Sequence, residues 1–558
     1  MVDLGRSSKF SEQAWSEQYR CPVLRAEPFQ QGIADVKRVR QIFSAGRGQL
    51  VDDEGIDWWE LLSLLVVPEA LALLTLERLV QEIPASAELW ATRPAWLSDT
   101  LAALAGVRCH SFGEDLVARG VGRALHYAGL LRRFSAAQIK QIFLDKYDSG
   151  YRWRSRFAVR PKRCSKPVVL LPSAFEYVSR TGAAYAQLLP QQLFLMVATR
   201  RSAKEFTPVA NVQVRNLAAY ARPGISATEA ESLVRNWFKL RAELASSAEL
   251  RGLITAGTTD AFADWIHNGV SARNAWREVI EGEPVCGVLC GDDSNLYTRL
   301  PVLLAARRKI PTVDFHHGAL DGRYLLKDLP CDVYLAKNEM ERDYLLRVCG
   351  LPGEKVVIGA SQRKERSARE PQGEGTAAVF FSEPYEVTGM RAAEVYREIL
   401  PALCRLADER RRHVILKLHP FESRSERCRI VRDILTSEEH KLVTVQDGPL
   451  TDELLAKAWF GMTVESTTVM HCLENGVCCF LCGWLTLQPY EYGRQYARFG
   501  VGEVLENAEQ IREIPGRVEE FHKRGPIISK LSVPIDPARL QQLLTSGAHG
   551  ASLARPTP

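Results

Sequence analysis

At 558 residues the chain is too long for one hydrophobic core and implies two or three domains. Its 46% hydrophobic and 25% charged content is ordinary for a globular protein, and a net charge of +5 is too mild to point to nucleic acid, although it suits an anionic substrate. The 13 cysteines are an odd number in a chain whose first residues lack the apolar core of a signal peptide, which points to reduced thiols in the cytoplasm rather than a disulfide framework.

Residues 1–85 read as a helical N-terminal segment. Its most lipid-like stretch, 61–79, is interrupted by Pro68, Glu69 and Glu77, so a buried helix explains it better than a membrane span. From residue 86 a short apolar strand followed by an amphipathic helix recurs. The first strands are 87–92 and 107–112, around a helix at 96–105. Residues 119–166 are helical in pattern and strongly basic, with Arg152, Arg154, Arg156 and Arg160 interleaved with Tyr151 and Trp153. Strands resume at 167–171, 193–198, 285–290, 310–315, 332–336 and 355–358, with helices at 177–189, 296–308 and 339–349 and a helical stretch at 228–280. Residues 86–360 therefore read as one α/β domain with helical insertions at 113–165 and 228–280.

Residues 361–375 are polar, charged and without apolar periodicity, as a linker is. A second α/β domain spans 376–544, with strands at 377–381, 413–418, 442–445, 460–464 and 477–481 and helices such as 391–410 and 452–458. In the last of these strands Cys478, Cys479 and Cys482 read as small buried hydrophobes, since no second cluster stands at zinc-site spacing. The tail, 545–558, is rich in Ser, Gly, Ala and Pro and reads as disordered. The expected fold class is α/β, with two Rossmann-like parallel-sheet domains facing a cleft. Ligands of such sheets bind beyond the carboxyl ends of the strands, so the polar residues directly after strands need the closest reading.

The strongest motif is Lys417, Leu418, His419, Pro420, at the end of strand 413–418. Pro420 stops the strand, and Lys417 and His419 are then donors to phosphate oxygens, or else a solvated Lys and a structural His on a capped strand end. Next, Glu465, Ser466, Thr467 and Thr468 come after strand 460–464 and open a helix. Hydroxyl residues there cap the helix, and its backbone N–H groups can make an anion site. In the first domain Asp292 and Asp293 come after Gly291 at a strand end, and between them they supply a general base, a helix cap, or one of each. His316, His317 and Gly318 stand after another strand; histidine suits proton transfer, and a satisfied histidine pair is equally open. Glu383, after strand 377–381, either contacts a ligand or serves a turn. No His, Cys and carboxylate set has metal-ligand spacing, the nearest being Asp314 and Asp321 beside the histidines.

Lys417, Leu418, His419 and Pro420 followed by Ser466 and Thr467 resemble the His-Pro and Ser motifs of bacterial sialyltransferases, polysialyltransferases and capsule Kdo transferases, which are GT-B enzymes of surface-polysaccharide assembly. That resemblance implies that these residues hold the phosphate of a cytidine nucleotide, with Asp292 and Asp293 matching the acidic motif of the N-terminal domain. The pairing with His317 and Gly318 is similar to CDP-glycerol glycerophosphotransferases. Residues 288–293 with 310–313 are also similar to the corresponding segment of UDP-GlcNAc 2-epimerases. Where many GT-B enzymes carry a ribose-binding Glu, this chain has His471, with Glu474 one turn further on.

The resemblance implies a glycosyltransferase using a nucleotide-activated sugar, foremost a CMP-linked ulosonic acid, and a glycan or glycolipid acceptor. In that scheme Asp292, Asp293 or His317 takes the acceptor proton. Lys417, His419, Pro420, Glu465, Ser466, Thr467, Thr468, His471 and Glu383 serve the donor. No cofactor is implied beyond the nucleotide-sugar cosubstrate, and a CMP donor leaves as a single phosphate ester, a step that needs no metal. The basic stretch 119–166 is a solvated face, a contact for an anionic glycan, or a dock at the inner membrane face. An isomerase of the 2-epimerase type, a CDP-glycerol-type glycerophosphotransferase and a non-catalytic subunit of a polysaccharide complex are the alternatives.

Overall fold

The computed structural model describes residues 32–83, 161–361, 375–485, 489–524 and 532–546, apart from 205, 223–225, 256, 292, 294–295, 317, 319 and 386–391, and in addition 2–3, 24–25, 88–91, 104–111 and 159. The chain divides into two compact units, one built on described residues between 34 and 361 together with 532–546, the other on 375–524.

The first unit holds a seven-stranded sheet: β1 (Val168–Ser173), β2 (Leu193–Ala198), β3 (Val212–Asn216), β4 (Val285–Cys290), β5 (Thr312–Phe315), β6 (Val333–Ala336) and β7 (Val356–Ile358). The strands lie in the order β7-β6-β5-β4-β1-β2-β3, and every pair is parallel. The second unit holds a six-stranded sheet: β8 (Ala377–Phe381), β9 (His413–Lys417), β10 (Val443–Gln446), β11 (Ala458–Thr463), β12 (Cys479–Cys482) and β13 (Glu503–Leu505). Its order is β10-β9-β8-β11-β12-β13, again wholly parallel. Both are doubly wound orders in which the winding reverses beside the first strand, between β1 and β4 and between β8 and β11. The expected two Rossmann-like sheets are therefore present. The strands are nearly continuous apolar runs because helices cover both faces. Val168–Ser173 is buried at every position, and Cys478, Cys479 and Cys482 are buried in or beside β12.

Residues 34–83 of the N-terminal segment are part of the first unit rather than a separate cap. Helices Ile33–Phe43, Trp58–Ser63 and Val67–Val80 pack with the helical insertion, Trp59 stacking on Trp237 at 6.1 Å and Trp237 meeting Phe262 at 4.9 Å. Trp58–Val80 is long and apolar enough by composition to cross a membrane, but 67% of its most apolar 18-residue window is buried inside the unit. Arg273, in the insertion helix Phe262–Gly282 and wholly buried, reaches Asp52 at 2.6 Å, Asp53 at 2.8 Å and Glu229 at 2.5 Å. Pairing of this kind is what allows a guanidinium into a core.

Two readings change. The second α/β domain does not run on to residue 544. The chain returns instead to the first sheet, where Ile535, Leu540, Leu543 and Leu544 join the core beneath β4 and β5. The helix Pro537–Ser546 also carries order two residues into the stretch read as a tail. The physical reason is a close fit, because a Cβ on Gly287 would overlap the carbonyl oxygen of Leu544. The basic stretch 119–160 and the linker 362–374 lie outside the described residues, Val159 apart.

Gly287→Ala should therefore lever the last helix off the sheet and cost about 1–3 kcal/mol. Gly282→Ala, which meets nothing within 4 Å, serves as the control. Thermal denaturation of both variants checks this, and equal melting temperatures would contradict the docking of the C-terminal helix.

Candidate functional site

In the second unit three strands end level with one another. Phe381, the last residue of β8, pairs with Lys417 of β9 on one side and Thr463 of β11 on the other. The three loops that leave these strand ends therefore lie side by side along the edge where the winding reverses.

The two residues after β8 fasten both neighbours. On the β11 side Glu383 accepts from Thr463 Oγ1 at 2.9 Å and from the backbone N–H groups of Val464 and Glu465 at 3.1 and 2.9 Å. Burial pushes its carboxyl above the usual carboxylate range, against the pull of those donors. On the β9 side the Ser382 hydroxyl donates to Glu422 at 2.8 Å. Glu422 is buried, pairs with Arg427 Nε at 2.8 Å, and accepts from the His419 backbone N–H at 2.7 Å. Burial raises the Glu422 carboxyl as well.

These bonds hold the turn that carries His419. The Glu422 N–H donates to the His419 carbonyl at 2.9 Å across Pro420, closing a reverse turn. Within it the Phe421 N–H donates to His419 Nδ1 at 3.2 Å. A ring nitrogen that accepts carries no proton, so the neutral imidazole holds its proton on Nε2. Burial, and then the nearby Lys417, lowers the imidazole below its ordinary value, which favours that neutral form. Lys417 is itself nearly buried and donates to the Leu418 and Gly448 carbonyls at 3.0 and 2.6 Å, and burial lowers its ammonium too. It fastens the strand exit to the loop after β10.

The turn after β11 is organised differently from the expected anion site. The helix there, Thr468–Glu474, has seven residues. Amides of the turn and of the first helical residue already have internal acceptors, with Glu383 serving Val464 and Glu465, Thr463 Oγ1 serving Ser466, and Ser466 Oγ serving Thr468. The turn thus offers a ligand side chains more than backbone N–H groups. Glu465, Ser466 and Thr468 are half-buried and Thr467 is exposed. His471 lies one turn on, with Nδ1 3.4 Å from Glu474.

In the first unit Asp292 and His317 lie outside the described residues, and Asp293 is held fast. Its carboxylate pairs with Lys327 and, at 3.0 Å, with Arg299. Arg299 in turn binds Glu60 through Nε at 3.1 Å and Nη2 at 2.6 Å. All four side chains are buried. Around them, burial and then Asp293 push the Asp314 carboxyl well up, while Tyr324 donates to it at 2.5 Å. Asp321 is driven the other way, because Arg323, Lys327 and His316 outweigh its burial. Asp293 therefore acts through position. It ties the loop after β4 to the N-terminal helix that carries Glu60. Gly291 in the same loop is needed for space, since a Cβ there would overlap the Phe315 ring.

No family model and no curated protein matches the chain. Among solved structures, it is similar to the S. aureus MnaA–UDP co-structure at 14% identity and a TM-score of 0.43, over 70% of this chain and 99% of that one. It is similar to Acinetobacter baumannii MurG at 12% identity and a TM-score of 0.38, over 68% and 99%. It is also similar to the Methanocaldococcus jannaschii UDP-GlcNAc 2-epimerase in complex with UDP-GlcNAc and UDP, at 12% identity and a TM-score of 0.41, over 68% and 100%.

The residues of these networks that the sequence did not mark as candidates are Ser382, Glu422, Arg427, Glu60, Arg299 and Lys327. The spacing of His419 and Glu422, as first and last residues of a Pro-containing turn, was the one local signal for any of them.

Asp293→Ala removes the partner of two buried cations and should cost about 3–5 kcal/mol, read as a fall in denaturation midpoint. An unchanged midpoint would contradict a structural role. For His419 the fold favours the neutral ring. Its contribution is present above the ordinary histidine value, about 6.5, and is lost as pH falls through the lowered value in the folded state. The melting temperature of wild type should fall more steeply than that of His419→Gln below pH 6.5, and parallel curves would refute the fold's preference for the neutral ring.

Proposed function

We propose that the chain is a glycosyltransferase that moves a sugar from a nucleotide-activated donor, foremost a CMP-linked ulosonic acid, to a surface-polysaccharide or lipid-linked glycan acceptor. The observation that carries this reading is His419. It is a neutral imidazole, oriented by the Phe421 N–H on a turn that Glu422 pins, and so it presents an Nε2–H donor just beyond a strand end. A donor fixed beforehand needs no reorganisation when charge develops on a leaving phosphate, and such stabilisation is usually the largest catalytic term. The hydroxyls of Ser466, Thr467 and Thr468 serve the same phosphate from the end of β11, and Glu465 and His471 are there for the nucleoside. Asp292 or His317 takes the acceptor hydroxyl proton, because the charge of Asp293 is already engaged by Lys327 and Arg299. Residues 119–166 hold the enzyme on an anionic leaflet where lipid-linked acceptors reside.

Binding at a hundredfold excess over Kd raises stability by about 2.7 kcal/mol. A thermal-shift panel of CMP, CDP, UDP and GDP should therefore single out CMP, and His419→Ala should abolish the shift. A shift with UDP alone, accompanied by product in the absence of any acceptor, would replace the transferase by an isomerase of the 2-epimerase type. No shift with any of the four, or an undiminished shift in His419→Ala, would remove the phosphate role.

A further inference from the structure

We infer that Lys337 is a positioning residue for the loop that bears His317; this rests on the reading of His317, rather than Asp292, as the group that takes the acceptor proton. The loop after β5 runs from His316 to Asp321, and both of its ends are held. Phe315 before it is buried in the core of the first sheet, and His316 Nε2 lies 3.7 Å from the Asp321 carboxylate. Asp321 is itself buried and accepts from the Arg323 N–H at 3.0 Å. Gly318 stands between these ends and directly follows His317. A Cβ there would overlap the His316 ring, so the chain turns closely back on itself. Glycine allows that turn, but it also rotates more freely than any other residue, and its neighbour stays loose unless a bond from outside the loop fixes it.

Lys337 makes that bond. It is the first residue after β6, and β6 pairs with β5 so that Leu335 stands beside Phe315. From this neighbouring exit its Nζ donates to the Gly318 carbonyl. The lysine starts from a fixed point. Its N–H donates to the buried Glu341 at 2.5 Å, and its carbonyl accepts from the Val533 N–H at 2.9 Å. The other oxygen of Glu341 lies 3.5 Å from the ammonium, and Asn338 accepts from the Glu341 N–H at 2.8 Å. A long lysine loses rotamer freedom when it is held in this way, and a carboxylate and a carbonyl together offset that loss. Its side chain is still 26% exposed, so the pair adds little to the stability of the fold, and the effect of the bond falls on the loop.

The test begins with hydrogen exchange of the full chain, read by mass spectrometry. Lys337→Met should speed exchange in the peptide 316–320 roughly tenfold, as loss of one hydrogen bond to a charged group does, and leave the rest of the first sheet as in wild type, with Lys337→Arg restoring it. Uniform acceleration along the chain, or none at 316–320, overturns the inference. The second readout is nucleotide release from CMP-sialic acid and from UDP-GlcNAc, with water in place of the acceptor. For the donor that wild type turns over, Lys337→Met should lower kcat roughly tenfold and keep KM within about twofold. Combined with His317→Ala it should be no slower than His317→Ala alone. Additive losses, or a change confined to KM, also overturn the inference. Failure of the underlying reading looks different: wild type turns over neither donor, or His317→Ala keeps full kcat, while exchange at 316–320 still responds to Lys337→Met.

Discussion

The second unit depends on two adjacent residues at the end of β8 that bond in opposite directions. Ser382 donates to Glu422 and so anchors the His419 turn, while Glu383 gathers the hydroxyl of Thr463 and two amides of the turn after β11. A central strand is the only place from which both neighbouring exits can be reached. Two buried carboxyls must leave water for this, and several short donors are needed to offset the desolvation of each. Removing either partner would leave a buried acceptor unmet, which is why such a network holds one geometry and tolerates few others.

The first unit meets the same requirement with full charges. Glu60, Arg299, Asp293 and Lys327 form a buried chain of alternating sign that joins the N-terminal helices to the loop after β4. Its net worth over an apolar replacement is small, but breaking it is strongly destabilising. What it supplies is position. The N-terminal segment is thereby committed to the sheet it supports, and the insertion helix repeats the bond through Arg273 with Asp52 and Asp53.

The strands of both sheets were legible because parallel strands covered on both faces are short apolar runs, and 285–290 and 377–381 fall where those runs fall. The two that escaped are edge strands. Val212–Asn216 is half polar, with Gln213 and Val214 exposed, and Glu503–Leu505 has three residues. The return of the last helix to the first sheet was not legible, since an amphipathic helix does not say which apolar surface covers it. The His419 turn was legible from its Pro. Glu422 as its anchor was not, because Ser382 lies 40 residues away and Tyr396 lies 26 away.

A common rule connects the two units. At several strand ends the sequence offers polar candidates, and the fold takes some of them for itself. Asp293 and Lys417 are buried and the Glu383 carboxyl is largely so, and a buried charge or polar group must be bonded to persist. Their bonding capacity is consumed by cations, amides and carbonyls of the protein itself. Neighbours that keep an open side, such as His419 with its Nε2–H, retain bonding capacity of their own. The engaged residue is still part of the site, because it fixes where the open one points. The buried carboxyl of Glu422 holds the His419 turn still and that of Glu383 holds the turn after β11, so the desolvation of each is offset by the bonds that fix a strand exit.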